Sequence, residues 1–391
     1  MKTKYFLLIL FLLFSFIRFT KAQESWDSLI AKAGQYMQEQ NYDEALKFSL
    51  KALEKAKAEF GEKDTNYIAS LQLIEQCYFY MGNTEKAIEY CQKAKPIINE
   101  VRGEESKEYA EVIGNLGFLY KFIRRYELAE PLYKKAIEID RKILGEEHPD
   151  YATDLSGLAG LYHKMGRYEL AEPLYKKAME IRRKILGEEH HDYTMSLNNL
   201  AELYRAMSRN ELAEPLYKKA IEIDRKILGE EHPDYATDLS GLALLYYAIG
   251  RYELAEPLMK KAMEIYRKIL GEDNPYYATS LNNLAGLYDA MGRYELAEPL
   301  YKKAIEIYRK ILGEEHPDYA SCLKNLAGLY ESMGRYELAE PLYKKAMEIN
   351  RKILGEEHPD YATSLSGLAG LYHKIGRYEL AEPLYKKAME I

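Results

Sequence analysis

The string HPDYATDLSGLAGLYHKMGRYELAEPLYKKAMEIRRKILGEE, from His148 to Glu189, returns with few changes through most of the chain. Anchored on the tyrosine after HPD, copies stand at Tyr67, Tyr109, Tyr151, Tyr193, Tyr235, Tyr277, Tyr319 and Tyr361, each 42 residues after the last. A fixed period of this size restricts the chain to a solenoid, a propeller or an array, in which each unit buries its apolar face only against its neighbours.

Each unit reads as two helices. In the first, Leu155, Leu158, Ala159 and Tyr162 are spaced i, i+3, i+4, i+7 and form one apolar stripe. The second carries Ala171, Leu174, Tyr175, Ala178, Ile181 and Ile185, and its span from Tyr168 to Leu186 makes a rod of roughly 28 Å. Met165-Gly166-Arg167 has room only to reverse the chain, so the two helices form an antiparallel hairpin whose axes approach at Ala159 and Ala171. Gly187 predicts a left-handed C-cap, with Arg182, Arg183 and Lys184 at the negative end of the helix. Pro233 and Pro317 suit the first position of the helix that follows, whereas Pro173, about one and a half turns inside its helix, predicts a shallow bend.

Leu158, Ala159, Tyr162, Gly166, Tyr168, Ala171, Tyr175 and Ala178 match the pattern L, G/A, Y, G, Y, A, F/Y, A, and through it the chain resembles the tetratricopeptide repeat (TPR) family. A TPR is usually about 34 residues long, and here the extra residues lengthen the second helix and its following loop. This long form, with LAEPLYKKAxEI, KILG and HPDYA, is similar to the repeats of kinesin light chains and of exported bacterial TPR arrays. The resemblance implies an all-α fold, a right-handed superhelix of helical hairpins, used as a non-enzymatic scaffold for protein or peptide ligands.

The expected organisation is a signal peptide over 1–22, then one array over 23–391 with units starting near 26, 67, 109, 151, 193, 235, 277, 319 and 361. Lys2 and Lys4, the apolar run from Tyr5 to Ile17 and the small-residue site Thr20-Lys21-Ala22 predict cleavage before Gln23 and a secreted or periplasmic bacterial protein. Loss of Lys2, Lys4, Arg18 and Lys21 takes the net charge from −7 to −11, which argues against nucleic acid and anionic membrane as partners. The units before Tyr109 diverge, as expected where an array begins. Ile391 corresponds to Ile181, so the last unit is incomplete; either a further domain or a partner is expected to cover that end. One such arrangement is a regulatory module ahead of a CHAT-type protease domain.

Cys77, Cys91 and Cys322 occupy positions that are apolar in other copies and are expected to pack as such, although Cys77 and Cys91 share a hairpin and could be oxidised in an exported chain. His148, His190, His191, His232, His316 and His358 sit in the loops of separate copies, apart from the adjacent pair His190-His191, and do not converge on a metal. The recurrent tyrosines are expected to fill the core and the joints between repeats. No nucleophile elbow, phosphate loop or nucleophile and base pair stands in the sequence, so neither cofactor nor catalysis is expected.

In TPR arrays the first helices line the concave face, at the second, fifth, sixth, ninth and twelfth to thirteenth residues after the anchoring tyrosine. The fifth and sixth are Asn198-Asn199, Asn282-Asn283 and Lys324-Asn325 in three copies, and Ser156-Gly157, Ser240-Gly241 and Ser366-Gly367 in three others. The resemblance to kinesin light chains implies that such asparagines hold the backbone of an extended peptide. The candidate site is therefore Asn198, Asn199, Arg205, Asn282, Asn283, Lys324 and Asn325, with small Gly286 and Gly328 leaving space for a ligand side chain.

Overall fold

A computed structural model describes residues 24–391, and the expected signal peptide lies outside them. The described residues contain eighteen helices and no strand, and they fall into two compact units, one ending at Leu161 and one running Tyr162–Ile391. In the first unit lie α1 (Trp26–Gln38), α2 (Tyr42–Glu59), α3 (Thr65–Tyr80), α4 (Thr84–Arg102), α5 (Lys107–Phe122), α6 (Tyr126–Ile143) and most of α7 (Pro149–Lys164). The second continues with α8 (Tyr168–Leu186), α9 (His191–Ala206), α10 (Asn210–Ile227), α11 (Pro233–Ala248), α12 (Tyr252–Leu270) and α13 (Pro275–Ala290). It finishes with α14 (Tyr294–Leu312), α15 (Pro317–Ser332), α16 (Tyr336–Leu354), α17 (Pro359–Lys374) and α18 (Tyr378–Glu390). Within each unit the architecture is the expected all-α solenoid of hairpins.

Two glycines per repeat set the breaks. Gly166 takes φ +71°, its N–H bonds to the His163 carbonyl at 3.0 Å and the Arg167 N–H returns to the Tyr162 carbonyl at 2.8 Å. Gly187 ends α8 with φ +87° and ψ 169°. That is a different region from the left-handed helical one expected, and a side chain there is still more strained, so glycine is the residue the turn demands. The prolines do not end their helices: α8 runs from Tyr168 through Pro173 to Leu186.

The recurrent histidines start helices. His232 Nδ1 accepts the Asp234 N–H at 3.2 Å, His316 that of Asp318 and His358 that of Asp360, both at 3.1 Å. Asn274 does the same work for α13 through its side-chain oxygen, at 2.9 Å from the Tyr276 nitrogen. An acceptor within reach of the second amide nitrogen is what an N-cap requires, and an imidazole can supply one only while Nδ1 is unprotonated.

The core is built where two helices meet at alanine and leucine. Ala255 and Ala262 on α12 and Leu245 on α11 are wholly buried, and the same holds for Ala297, Ala304 and Leu287 one repeat later. Tyrosines join repeats: Tyr235, Tyr266, Tyr277 and Tyr308 belong to one buried cluster with Leu239, Ile265 and Leu281. Outside, the lysine pairs tie hairpins together. Lys303 reaches Glu272 at 3.0 Å and Lys345 reaches Glu314 at 2.7 Å, while Glu256 takes Lys260 at 2.6 Å, Tyr288 Oη at 3.1 Å and Arg293 at 3.2 Å.

Cys77 lies beside Ser49 and Met37, and Cys91 Sγ donates to the Val112 carbonyl at 3.3 Å; both are buried free thiols. Burial pushes the Cys77 thiol up to about 11, and it raises that of Cys91 further. Cys322 packs as a small buried residue, its thiol 3.3 Å from Asn282 Oδ1.

Candidate peptide-binding cleft

In the second unit, first helices of successive hairpins touch one another, α13 with α15 and α15 with α17, whereas the second helices have no comparable contact. The first helices therefore occupy the inner side of the stack. Between α13, α15 and α17 they leave a cleft of about 540 Å³. Thr363, Lys324, Asn325, Gly286, Asp289 and Ser332 line it, which are the second, fifth, sixth, ninth, twelfth and thirteenth residues of their copies. The face assigned by helical spacing thus forms one cavity wall.

Four aromatic rings complete the cleft: Tyr247 from the end of α11, Tyr294 and Tyr301 from α14 and Tyr343 from α16. The helical pattern of the second helices assigns Tyr301 and Tyr343 to packing, and they are buried at 3 % and 6 % exposure; their place in the cavity wall comes from the missing bulk of the glycines opposite. A Cβ on Gly367 would stand 2.8 Å from Tyr343 Cε1, and one on Gly286 would stand 3.3 Å from Tyr301 Oη. The same relation holds at Gly241, where a Cβ would lie 2.5 Å from the Tyr217 ring. Glycine at the sixth position is thus a seat for the tyrosine of the preceding hairpin in the Ser-Gly copies.

Of the seven candidate residues, the structure brings Asn282, Lys324 and Asn325 together. Asn325 Nδ2 donates to Asn282 Oδ1 at 3.0 Å, and Lys324 and Asn325 both line the cleft. Asn283 is half-buried on the adjoining turn of α13. Asn198, Asn199 and Arg205 lie on α9, away from this cavity. Asn198 donates to Asp238, and Arg205 is held by Glu202 through two nitrogens, with Nε 2.8 Å from Oε2. Asp289 sits in the cleft floor, its carboxyl raised above the usual range by burial and drawn back by a hydrogen bond with Ser332. Outside the cleft lining, Tyr343 Oη donates to Glu331 at 3.0 Å and Lys374 reaches the same carboxylate at 3.3 Å.

The described residues hold no group of three or more histidine, cysteine, aspartate or glutamate side chains arranged for a metal ion, and no helix among them is long and apolar enough to cross a membrane.

Antiparallel helix pairs repeated every 42 residues, with first helices exposing a polar and aromatic cleft, define a helical-repeat scaffold of the class that holds other proteins. The chain belongs to the tetratricopeptide repeat family, whose model matches overlapping segments at 27–100, 76–142, 108–184, 153–226, 192–268, 239–310, 276–351 and 320–391. No curated protein matches it. Among solved structures it is similar to a Rap protein complexed with Competence and Sporulation Factor, with a TM-score of 0.60, 14% identity and coverage of 93% of this chain and 97% of that one. It is also similar to BtubC (BKLC) from P. vanneervenii, with a TM-score of 0.49, 25% identity and coverage of 57% and 90%. A third is a putative kinesin light chain from Podosopora anserina with nearly identical TPR-like repeats, at a TM-score of 0.45, 29% identity and coverage of 53% and 98%. As a TPR protein the chain has the build of a protein–protein interaction scaffold.

Proposed function

We propose that this chain is an exported, non-enzymatic scaffold that holds an extended polypeptide segment in the cleft of α13, α15 and α17. The observation that carries the reading is the composition of that cavity. Its size suits one or two ligand side chains, the Asn325 amide in its wall can give and accept hydrogen bonds with a ligand backbone, and its tyrosines offer apolar faces with polar tips. Lys324 at its rim favours a ligand with an acidic residue near an apolar anchor. An unfolded segment loses entropy on binding, so the affinity expected is micromolar.

Selection from a library of random extended peptides, followed by titration of the winners, tests the reading. Replacing Lys324 and Asn325, which line the cleft, by alanine is expected to weaken the selected peptides several-fold at unchanged helical circular dichroism. If the double variant retains every peptide at parental affinity, the cleft is not the binding surface. Export rests on the sequence of residues 1–22 and is tested apart: the protein recovered outside the cytoplasm should begin at Gln23, and a retained Met1 would replace the cleaved signal by an anchor.

A further inference from the structure

The first unit holds a cavity of about 490 Å³ between α5, α6 and α7, and its walls carry four carboxyl groups, Glu111, Asp140, Asp150 and Asp154. Asp140 is 4 % exposed, lines the cavity, and its Oδ1 is buried without a hydrogen-bond partner. A buried carboxylate oxygen left bare is costly, so its retention calls for a cause.

The same acids recur two periods later. Asp224 and Asp238 repeat Asp140 and Asp154 in the second unit, where one oxygen of each is likewise buried without a hydrogen bond, but where the fold gives each acid a side-chain donor on its other oxygen. Thr194 Oγ1 donates to Asp224 at 2.8 Å, His191 Nδ1 stands 3.5 Å from the same carboxylate, and Asn198 Nδ2 donates to Asp238. In the first unit Thr194 is replaced by Ala110 and Asn198 by Gly114. A Cβ on Gly114 would lie 3.1 Å from Asp154 Oδ1, so the missing side chain is the one that would have met the acid. Lys107, in the place of His191, is turned to Asp150 at 2.7 Å. The first unit has kept the acids, lost their internal donors and opened a space in front of them.

The other end of the cavity shows what fills such a space. Phe118 and Tyr133 stand there, and the Lys121 ammonium lies 5.2 Å from one ring centroid and 5.7 Å from the other. Rings arranged in this way accept a cation, and a planar guanidinium can stack on them while donating to carboxylates. Asn115, on the same face and in the sixth position of its copy, offers an amide to a ligand backbone.

We propose that this cavity is a recognition pocket for one cationic side chain, arginine or lysine, of an extended polypeptide. The ligand supplies the donors that Ala110 and Gly114 withhold, its charge meets Asp140 and Asp154, and its backbone runs along the exposed face of α5.

Protonation offers a second readout. Burial, then Asp140 and Asp150, push the Asp154 carboxyl up to about 8, and burial, then Asp150 and Glu111 against Lys107 and His148, raises that of Asp140. Glu111 is raised in the same way by burial, against Lys107. A cation seated among these groups favours their ionised forms, so binding at pH 7 releases protons to the buffer.

The experiment is titration calorimetry of the protein with a nine-residue glycine-rich peptide carrying a single central arginine, against the same peptide with citrulline, in two buffers of different ionisation enthalpy. Arginine is expected to bind at least tenfold more tightly and to release protons; equal affinity for citrulline overturns the pocket. Asp140→Asn should remove most of the preference. The double substitution Ala110→Thr with Gly114→Asn, which restores the donors of the second unit, should remove it with helical content intact. If both variants keep the preference and the proton release, the cation binds elsewhere and the assignment is wrong. Arginine amide and spermidine form the last arm: the peptide should exceed both, and equal affinity would overturn the polypeptide as the ligand.

Discussion

Ser208 holds φ at +57° in the turn between α9 and α10, the place where Gly166, Gly250, Gly292, Gly334 and Gly376 stand in other copies at φ between +70° and +77°. A side chain in that region costs about 1–2 kcal/mol, and glycine returns part of that gain as extra freedom of the unfolded chain. Ser208→Gly is therefore expected to stabilise by about 0.5–1 kcal/mol, measured as a rise in the urea midpoint; a fall would mean that the serine hydroxyl matters more than the backbone. His316 gives a second case. Its ring caps α15, and burial lowers its pKa, so the neutral, accepting form is the folded one. A depressed pKa contributes stability that is present above the unfolded value of about 6.5 and is lost as pH falls through the folded value. His316→Ala should cost about 1 kcal/mol at pH 8. His316→Asn, which copies Asn274, should cost little at pH 8 and remove this residue's share of the acid sensitivity. Equal urea midpoints for the alanine and asparagine variants would show that the cap contributes nothing. The spacing of these histidines left them as loop residues, because capping depends on a ring orientation that periodicity does not encode.

At the scale of helices, the repeat let the hairpins, their turns and their apolar stripes be drawn from the sequence, since a period of 3.6 residues inside one of 42 leaves little freedom. What it did not yield is the joint between hairpins. Asp140, Arg182, Asp224, Tyr266, Tyr308 and Asn350 are copies of one position, all buried, and chemically unlike one another. Two of them reach the third residue of the following copy, Arg182 to Ser196 Oγ at 2.9 Å and Asn350 to Ser364 Oγ at 3.0 Å, while Tyr266 and Tyr308 turn back to Thr237 and Thr279 of their own copies at 2.7 and 2.6 Å. The pairing crosses two helices and ten or more loop and helix residues, so a pattern confined to one helix misses it. At Asp224 and Asp238 the joint consists of two acids. Burial, then Asp224 and Asp234 against the donor Asn198, push the Asp238 carboxyl up to about 8. An acid raised above its unfolded value of about 3.9 contributes stability that is fully present below that value and is lost as pH rises through 8. Between those limits stability falls by up to about 1.4 kcal/mol per pH unit for such a group. Asp238→Asn is expected to be more stable than the parent at pH 9, no more stable at pH 4, and to show a shallower slope in between, with Asp154 maintaining part of it. Urea midpoints at pH 4, 7 and 9 decide the matter, and parallel pH curves would show that Asp238 is ionised throughout.

At the scale of the molecule, a solenoid is stabilised by repeat interiors and nearest-neighbour joints, so its length is adjustable if the cut respects the period. Removing 193–234 joins Asp192 to Tyr235, which stands one period after Tyr193, and every helix start and stop is preserved. The new joint sets α8 against α11. Arg182, which now meets Ser196, would face Asp238, and the acid pair with Asp224 would be gone; a buried cation beside a buried acid is a sounder joint than two acids. The cleft of α13, α15 and α17 would keep all its residues. The shortened chain is expected to retain its helical signal per residue and to unfold with a urea m-value lower by roughly one ninth, the share of surface removed. Its stability should no longer fall between pH 4 and 8 through the Asp238 joint, because Arg182 holds that carboxylate ionised. A deletion of 21 residues at the same place joins a first helix to the wrong partner and should abolish cooperative unfolding. If both deletions behave alike, the joints between hairpins are not specific, and the account of stability by repeat and joint fails.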